Sequence, residues 1–174
     1  MMIRYLNENL IAGLCTSPRQ GIKLHLILFM LFAVMALIIG FPAGLFTFAL
    51  LDSKLAYILP FTLFIFPSLF EEAVFRGVLI PNNTQQGGIP KIIFYSLMSS
   101  TLFVIWHPIN ALTINPGAKS FFLDPWFLFI TFILGMVCSL GYIFSRSLWV
   151  PIIMHWLTVV IWVFLLGGRN LIIE

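Results

Sequence analysis

Charge is what this chain has least of: nine Lys and Arg and six Asp and Glu among 174 residues, or 9%. An ordinary soluble domain carries about 25%, so that scarcity excludes one. With no dense Lys/Arg run, the net charge of +3 offers nothing for a nucleic acid to bind. Cysteine is scarcer still. Cys15 and Cys138 form neither a metal-ligand spacing nor a disulfide framework, and they read as packing residues. The chain has three histidines and no Gly-x-Ser-x-Gly, no Ser-His-Asp order and no cysteine beside a histidine. Those absences exclude the usual serine and cysteine acyl-enzymes. The His-Glu-x-x-His spacing of zincins is missing as well.

What is abundant is apolar length. Hydrophobic residues make up 61% of the chain and the mean hydropathy is +1.08. A span needs about 20 apolar residues, so the expected fold is an all-α polytopic transmembrane bundle of about five to six spans. Residues 1–23 hold Ile3, Leu6, Leu10 and Leu14 at helical spacing among Arg4, Asn7, Glu8 and Asn9, which predicts an interfacial helix. Residues 24–174 then form one transmembrane domain. No small-residue cleavage site follows the charged leader, so the first span is expected in the mature chain.

That span covers Leu24–Phe41, with His25 expected to snorkel at its boundary beside Lys23. Pro42, between Gly40 and Gly44, breaks it, and 42–54 is expected to be a re-entrant or half-helical connection. A second span from Leu55 is kinked by Pro60 and Pro67 and ends near Pro81, before the polar turn 82–88. The third, Ile92–His107, is expected to stop at Pro108. Trp126–Ser145 and Leu148–Leu166 follow, joined by a tight turn at Arg146 and closed by Gly167-Gly168. Lys and Arg count six against three in favour of a cytoplasmic N-terminus, with Lys54, Lys119 and Arg169 outside. The sequon at Asn82 would then face the cytoplasm and go unused.

Against this apolar background Glu71-Glu72-Ala73-Val74-Phe75-Arg76-Gly77 stands out. Ionisable groups at membrane depth cost roughly 2.5–3.5 kcal/mol each on insertion scales and mark function. Glu72 and Arg76 are four apart in the favourable acid-before-base order. Glu71 points about 100° away around the helix and lacks that partner. Glu71 is therefore the candidate base, with Glu72 and Arg76 in support. His107 and His155 are the other ionisable groups within apolar runs. Phe103 shares the face of His107, and Thr158 lies near that of His155. Three helices could thus converge on one interior site, where Glu71 would activate water and a histidine would stabilise the oxyanion. Glu71, His107 and His155 could instead hold zinc, so a metal version stays open. Depth is an obstacle. Counted from the polar turn, Glu71 is about nine residues in and His107 about sixteen from Ile92, an offset of roughly 10 Å unless 89–96 lies in the interface.

The ordered triple Glu-Glu-Ala-Val-Phe-Arg, Phe-Val-Ile-Trp-His and a late His155 resembles the EExxxR, FxxxH and Hxxx(N) motifs of the CAAX-protease and bacteriocin-processing (CPBP/ABI) family of intramembrane endopeptidases. The resemblance spans about 55–166. Carried over by position, it implies that Glu71 and His107 activate water and His155 assists the oxyanion. It further implies a membrane-embedded, multi-pass protease, acting on a peptide or lipidated protein in contact with membrane lipid. No cofactor is expected. Where that family commonly has Asn, this chain has Val159, and Thr158 and Asn110 are the candidate replacements. The alternatives are a catalytically impaired relative serving as a membrane binding or scaffold protein, and a transporter-like protein using Glu71 for protons.

Overall fold

The computed structural model describes residues 2–168, with side chains from residue 9 onward, so Arg169 lies outside the described residues. Among them no strand forms, and a single isolated bridge joins Ala49 to Leu166. The helices are α1 (Met2–Cys15), α2 (Ile22–Gly40), α3 (Leu59–Leu63), α4 (Phe70–Glu72), α5 (Gly88–Thr113), α6 (Lys119–Phe122), α7 (Pro125–Ser145) and α8 (Trp149–Leu165). Three helical stretches, Ile22–Gly40, Thr84–Thr113 and Pro125–Ser145, are long and apolar enough to cross a membrane, and α8 is a shorter apolar helix. This is a helical membrane bundle.

The site-bearing segment is the irregular one. π-helical turns, Phe64–Leu69 and Ala73–Val78, flank the three residues of α4. Pro67 lies within the first, where Phe66 leaves helical geometry at φ −137°, ψ 119°. Pro60 sits at the start of α3 and needs no kink there. Each π turn inserts a residue and re-aims the side chains that follow, a device frequent at functional sites. Backbone groups at such breaks need outside partners in an apolar medium. Trp156 Nε1–H on α8 supplies one to Pro60 O at 2.8 Å.

At the other end of this segment α1 acts as a cap. Asn9 Nδ2–H donates to Gly77 O at 2.7 Å and to Ile80 O at 2.9 Å, and Asn9 Oδ1 accepts Asn82 N–H at 2.8 Å. These carbonyls belong to the last turn, which has no intrahelical donors left. Gly77 is small enough to let α1 approach: a Cβ there would stand 2.4 Å from Leu10 Cδ2. Ser147 and Trp149, at the α7–α8 turn, donate to Thr16 O and Leu14 O. Arg146 makes that tight turn in the left-handed region, φ 57°.

Three expectations are corrected. Residues 45–51 are extended and not half-helical: Thr47, Ala49 and Leu51 give their N–H groups to Leu166, Leu165 and Phe164 carbonyls. The end of α8 leaves acceptors without partners, and an extended strap satisfies both sets at once. Helix α5 continues six residues past His107, through Pro108 to Thr113; proline removes one intrahelical bond, which a packed membrane helix survives. His25 is buried and donates Nε2–H to Gln20 O at 2.9 Å instead of snorkelling.

Helix α7 is the central wall, packed by α5, α2 and α8. Asp124 caps it, accepting Trp126 and Phe127 N–H at 2.8 and 3.0 Å, with Pro125 at its first position. The α5 contact is a small-residue seam, since a Cβ on Gly135 would lie 3.0 Å from Ser100 Cβ.

Candidate active site

The two carboxylates separate at once. Glu72 is fully buried, and its Oε1 accepts Arg76 NH1–H at 2.9 Å and His155 Nδ1–H at 2.9 Å. Arg76 sends NH2–H across to Gly135 O at 3.0 Å and lays its guanidinium over the Phe103 ring, 4.6 Å from the centroid. Planar, forked and weakly hydrated, a guanidinium can bond a carboxylate, a carbonyl and an aromatic face together; an ammonium cannot. The Glu72–Arg76 pair predicted from i,i+4 spacing is therefore present, and it also grips His155 and α7.

Glu71 faces the other way. Its Oε1 accepts Trp106 Nε1–H at 2.9 Å. Oε2 is buried without a hydrogen-bond partner, 3.9 Å from His155 Nε2. Two carboxylates thus stand beside one guanidinium, with the His155 ring between them.

His107 donates Nδ1–H to Phe103 O at 2.9 Å, which leaves Nε2 as the acceptor nitrogen. Its ring is held edge-on by Phe103 and Phe122, each at a centroid distance of 4.9 Å. Phe103 also meets His155 at 5.5 Å and Phe75 at 5.3 Å. This one buried ring, on the predicted face of His107, spaces both histidines and the guanidinium.

Glu71, His107 and His155 line one cavity, with Trp106, Asn110 and Val159 among the other wall residues. The cavity has a volume of about 140 Å³, roughly ten times what one water requires. The longer α5 absorbs part of the depth offset. Ser99 Oγ–H donates to Phe75 O at 2.7 Å, so the eleven residues from Gly88 to Met98, roughly 16 Å of helix, lie before the level of Phe75.

Thr158, expected beside His155, turns its hydroxyl to Met154 O at 2.8 Å and stands outside the cavity wall. Trp106 is the site residue that sequence reasoning misses. Its one signal is its position next to His107 in an apolar run, yet a tryptophan there reads as packing. Among the described residues no three His, Cys, Asp or Glu side chains are grouped to hold a metal. Replacing Trp106 by Phe keeps an aromatic ring but removes the hydrogen bond to Glu71. Bonds to charged groups contribute about 1.5–3 kcal/mol, so turnover of the Trp106→Phe protein should fall roughly 10- to 100-fold with folding intact, measured as kcat in detergent.

The fold and this cluster define a class: a helical membrane protein in which one carboxylate and two histidines line a cavity, with a buried carboxylate–guanidinium pair behind them. The description type II CAAX prenyl endopeptidase Rce1-like matches residues 52–161, more than half the chain. The chain belongs to that family, whose members are CAAX-type intramembrane proteases. None of the curated proteins and none of the solved structures compared with it matches.

Proposed function

We propose that the chain is an intramembrane endopeptidase that hydrolyses a peptide bond near the C-terminus of a prenylated substrate, using water activated by Glu71 and His107. What supports this reading is one observation: Glu71, whose Oε2 has no hydrogen-bond partner, lines with His107 and His155 a single cavity large enough for water and a peptide bond. Glu71 Oε2 takes a proton from water while His107 Nε2 accepts the other O–H and fixes the attack direction. The water oxygen bonds to the carbonyl carbon, and the charge on the carbonyl oxygen is met by His155 Nε2–H, whose ring Glu72 holds through Nδ1. As the C–N bond breaks, Glu71 returns the proton to the leaving amine.

The test is release of the C-terminal tripeptide from a farnesylated CAAX peptide by purified protein in proteoliposomes. Wild type should cleave it. A zinc chelator at saturating concentration should leave the rate unchanged; loss of activity with chelator, restored by zinc, would instead assign Glu71, His107 and His155 to a metal. One observation favours a second reading: Val159 gives the cavity wall an apolar residue, where the motif that the chain resembles commonly has Asn. A folded wild-type protein that binds the prenylated peptide without cleaving it would establish that non-catalytic form.

A further inference from the structure

Besides the base, Trp106 and the two histidines, the cavity wall carries polar groups on Asn110, Asn115, Thr131 and the Trp162 indole; among them Asn110 Oδ1 is the buried acceptor without a hydrogen-bond partner. Asn110 stands on α5, three residues beyond His107 and so on the same side of the helix. It is 6% exposed and lines the cavity, and its Oδ1 is buried with no hydrogen-bond partner. A buried amide oxygen left unbonded costs about 1–3 kcal/mol, so its persistence calls for a partner that arrives from outside. Its backbone is fixed: Asn110 O accepts N–H from both Ile114 and Asn115 at 2.8 Å, closing the helix just after it. The Trp106 N–H is committed to Glu71. Thr158 is turned away, and Val159 on the α8 wall is apolar.

Resting on the endopeptidase reading, we infer that Asn110 is a further catalytic residue that contacts the scissile peptide directly. Its amide N–H donates to the carbonyl oxygen as negative charge develops there, and its amide oxygen accepts a substrate backbone N–H. The side-chain amide thus serves as the donor that position 159 does not provide. A peptide bond presents one donor and one acceptor, which is the complement of a side-chain amide. The two ends of that amide are interchangeable by a flip, so either orientation offers both groups to the cavity.

Removal of one donor to an oxyanion lowers turnover by about 10²–10³-fold. Asn110→Ala should therefore lose that much kcat with KM changed less than about threefold. Asn110→Asp, which keeps the shape, should lose as much because it repels the oxyanion. Adding Val159→Asn to Asn110→Ala should recover at least about tenfold, since it returns a donor from the opposite wall; a merely structural role would give no such rescue. All variants are compared with wild type and Glu71→Gln in proteoliposomes on the farnesylated peptide, with thermal unfolding in detergent as the folding check. If Asn110→Ala and Asn110→Asp turn over like wild type while Glu71→Gln is inactive, the Asn110 inference is overturned and the endopeptidase reading survives. A folded Asn110→Ala protein with lost turnover and no recovery from Val159→Asn also overturns it. If wild type itself does not cleave, or Glu71→Gln cleaves as well as wild type, both fall together.

Discussion

Glu71→Gln should lower kcat by about 10²–10⁴-fold, the usual contribution of a positioned general base, while leaving the protein as stable as wild type. The two carboxylate oxygens explain the split between activity and stability. Oε1 accepts the Trp106 indole N–H, and a glutamine oxygen can keep that bond. Oε2 has no hydrogen-bond partner and is aimed towards His155 at 3.9 Å, so changing it removes a base without breaking a hydrogen bond. Hydrolysis of the farnesylated peptide gives the rate, and thermal unfolding in detergent gives the stability. Turnover within about threefold of wild type would remove Glu71 from the mechanism.

Arg76→Ala should do the reverse and act first on the fold. The guanidinium is fully buried and is bonded to Glu72 at 2.9 Å and Gly135 O at 3.0 Å. Removing one partner of a buried pair costs about 3–5 kcal/mol because the other charge stays behind. Here Glu72 would retain only His155. Arg76→Lys should fall between, since one ammonium cannot span both acceptors and the Phe103 face. Replacing Glu72 and Arg76 together by Leu should recover much of the lost stability but no activity, because His155 then has nothing on Nδ1. Unfolding midpoints in one detergent check the series; a wild-type midpoint for Arg76→Ala would show that the pair does not hold the bundle together.

These opposite outcomes follow from a division that the sequence already carries. Acid-before-base spacing assigns Glu72 to Arg76, and the 100° helical step sends Glu71 elsewhere; both are local consequences of helix geometry and survive tertiary folding. The capped start of α7 at Asp124-Pro125 and the turn at Arg146 are local in the same sense. What the sequence does not disclose depends on distant partners. The strap at 45–51 is extended because α8, more than a hundred residues later, ends with carbonyls to satisfy. His25 is the local exception, held by Gln20 O five residues before it, and Pro108 lies inside α5, which packs along α7. The bond from His155 to Glu72 and that from Trp106 to Glu71 join residues 83 and 35 positions apart. The depth offset comes in part from assuming that both helices begin at the same level, whereas eleven residues of α5, Gly88 to Met98, precede the level of Phe75.

The most direct test of the central claim, that Glu71 and His107 act on one water, is a double-mutant cycle on kcat/KM for the farnesylated peptide. Groups that act as a unit lose their effect together, so mutant losses are strongly non-additive. Glu71→Gln with His107→Ala should be about as inactive as the less active of the two single variants. Losses that multiply as if independent, or single variants that retain wild-type activity, would contradict it.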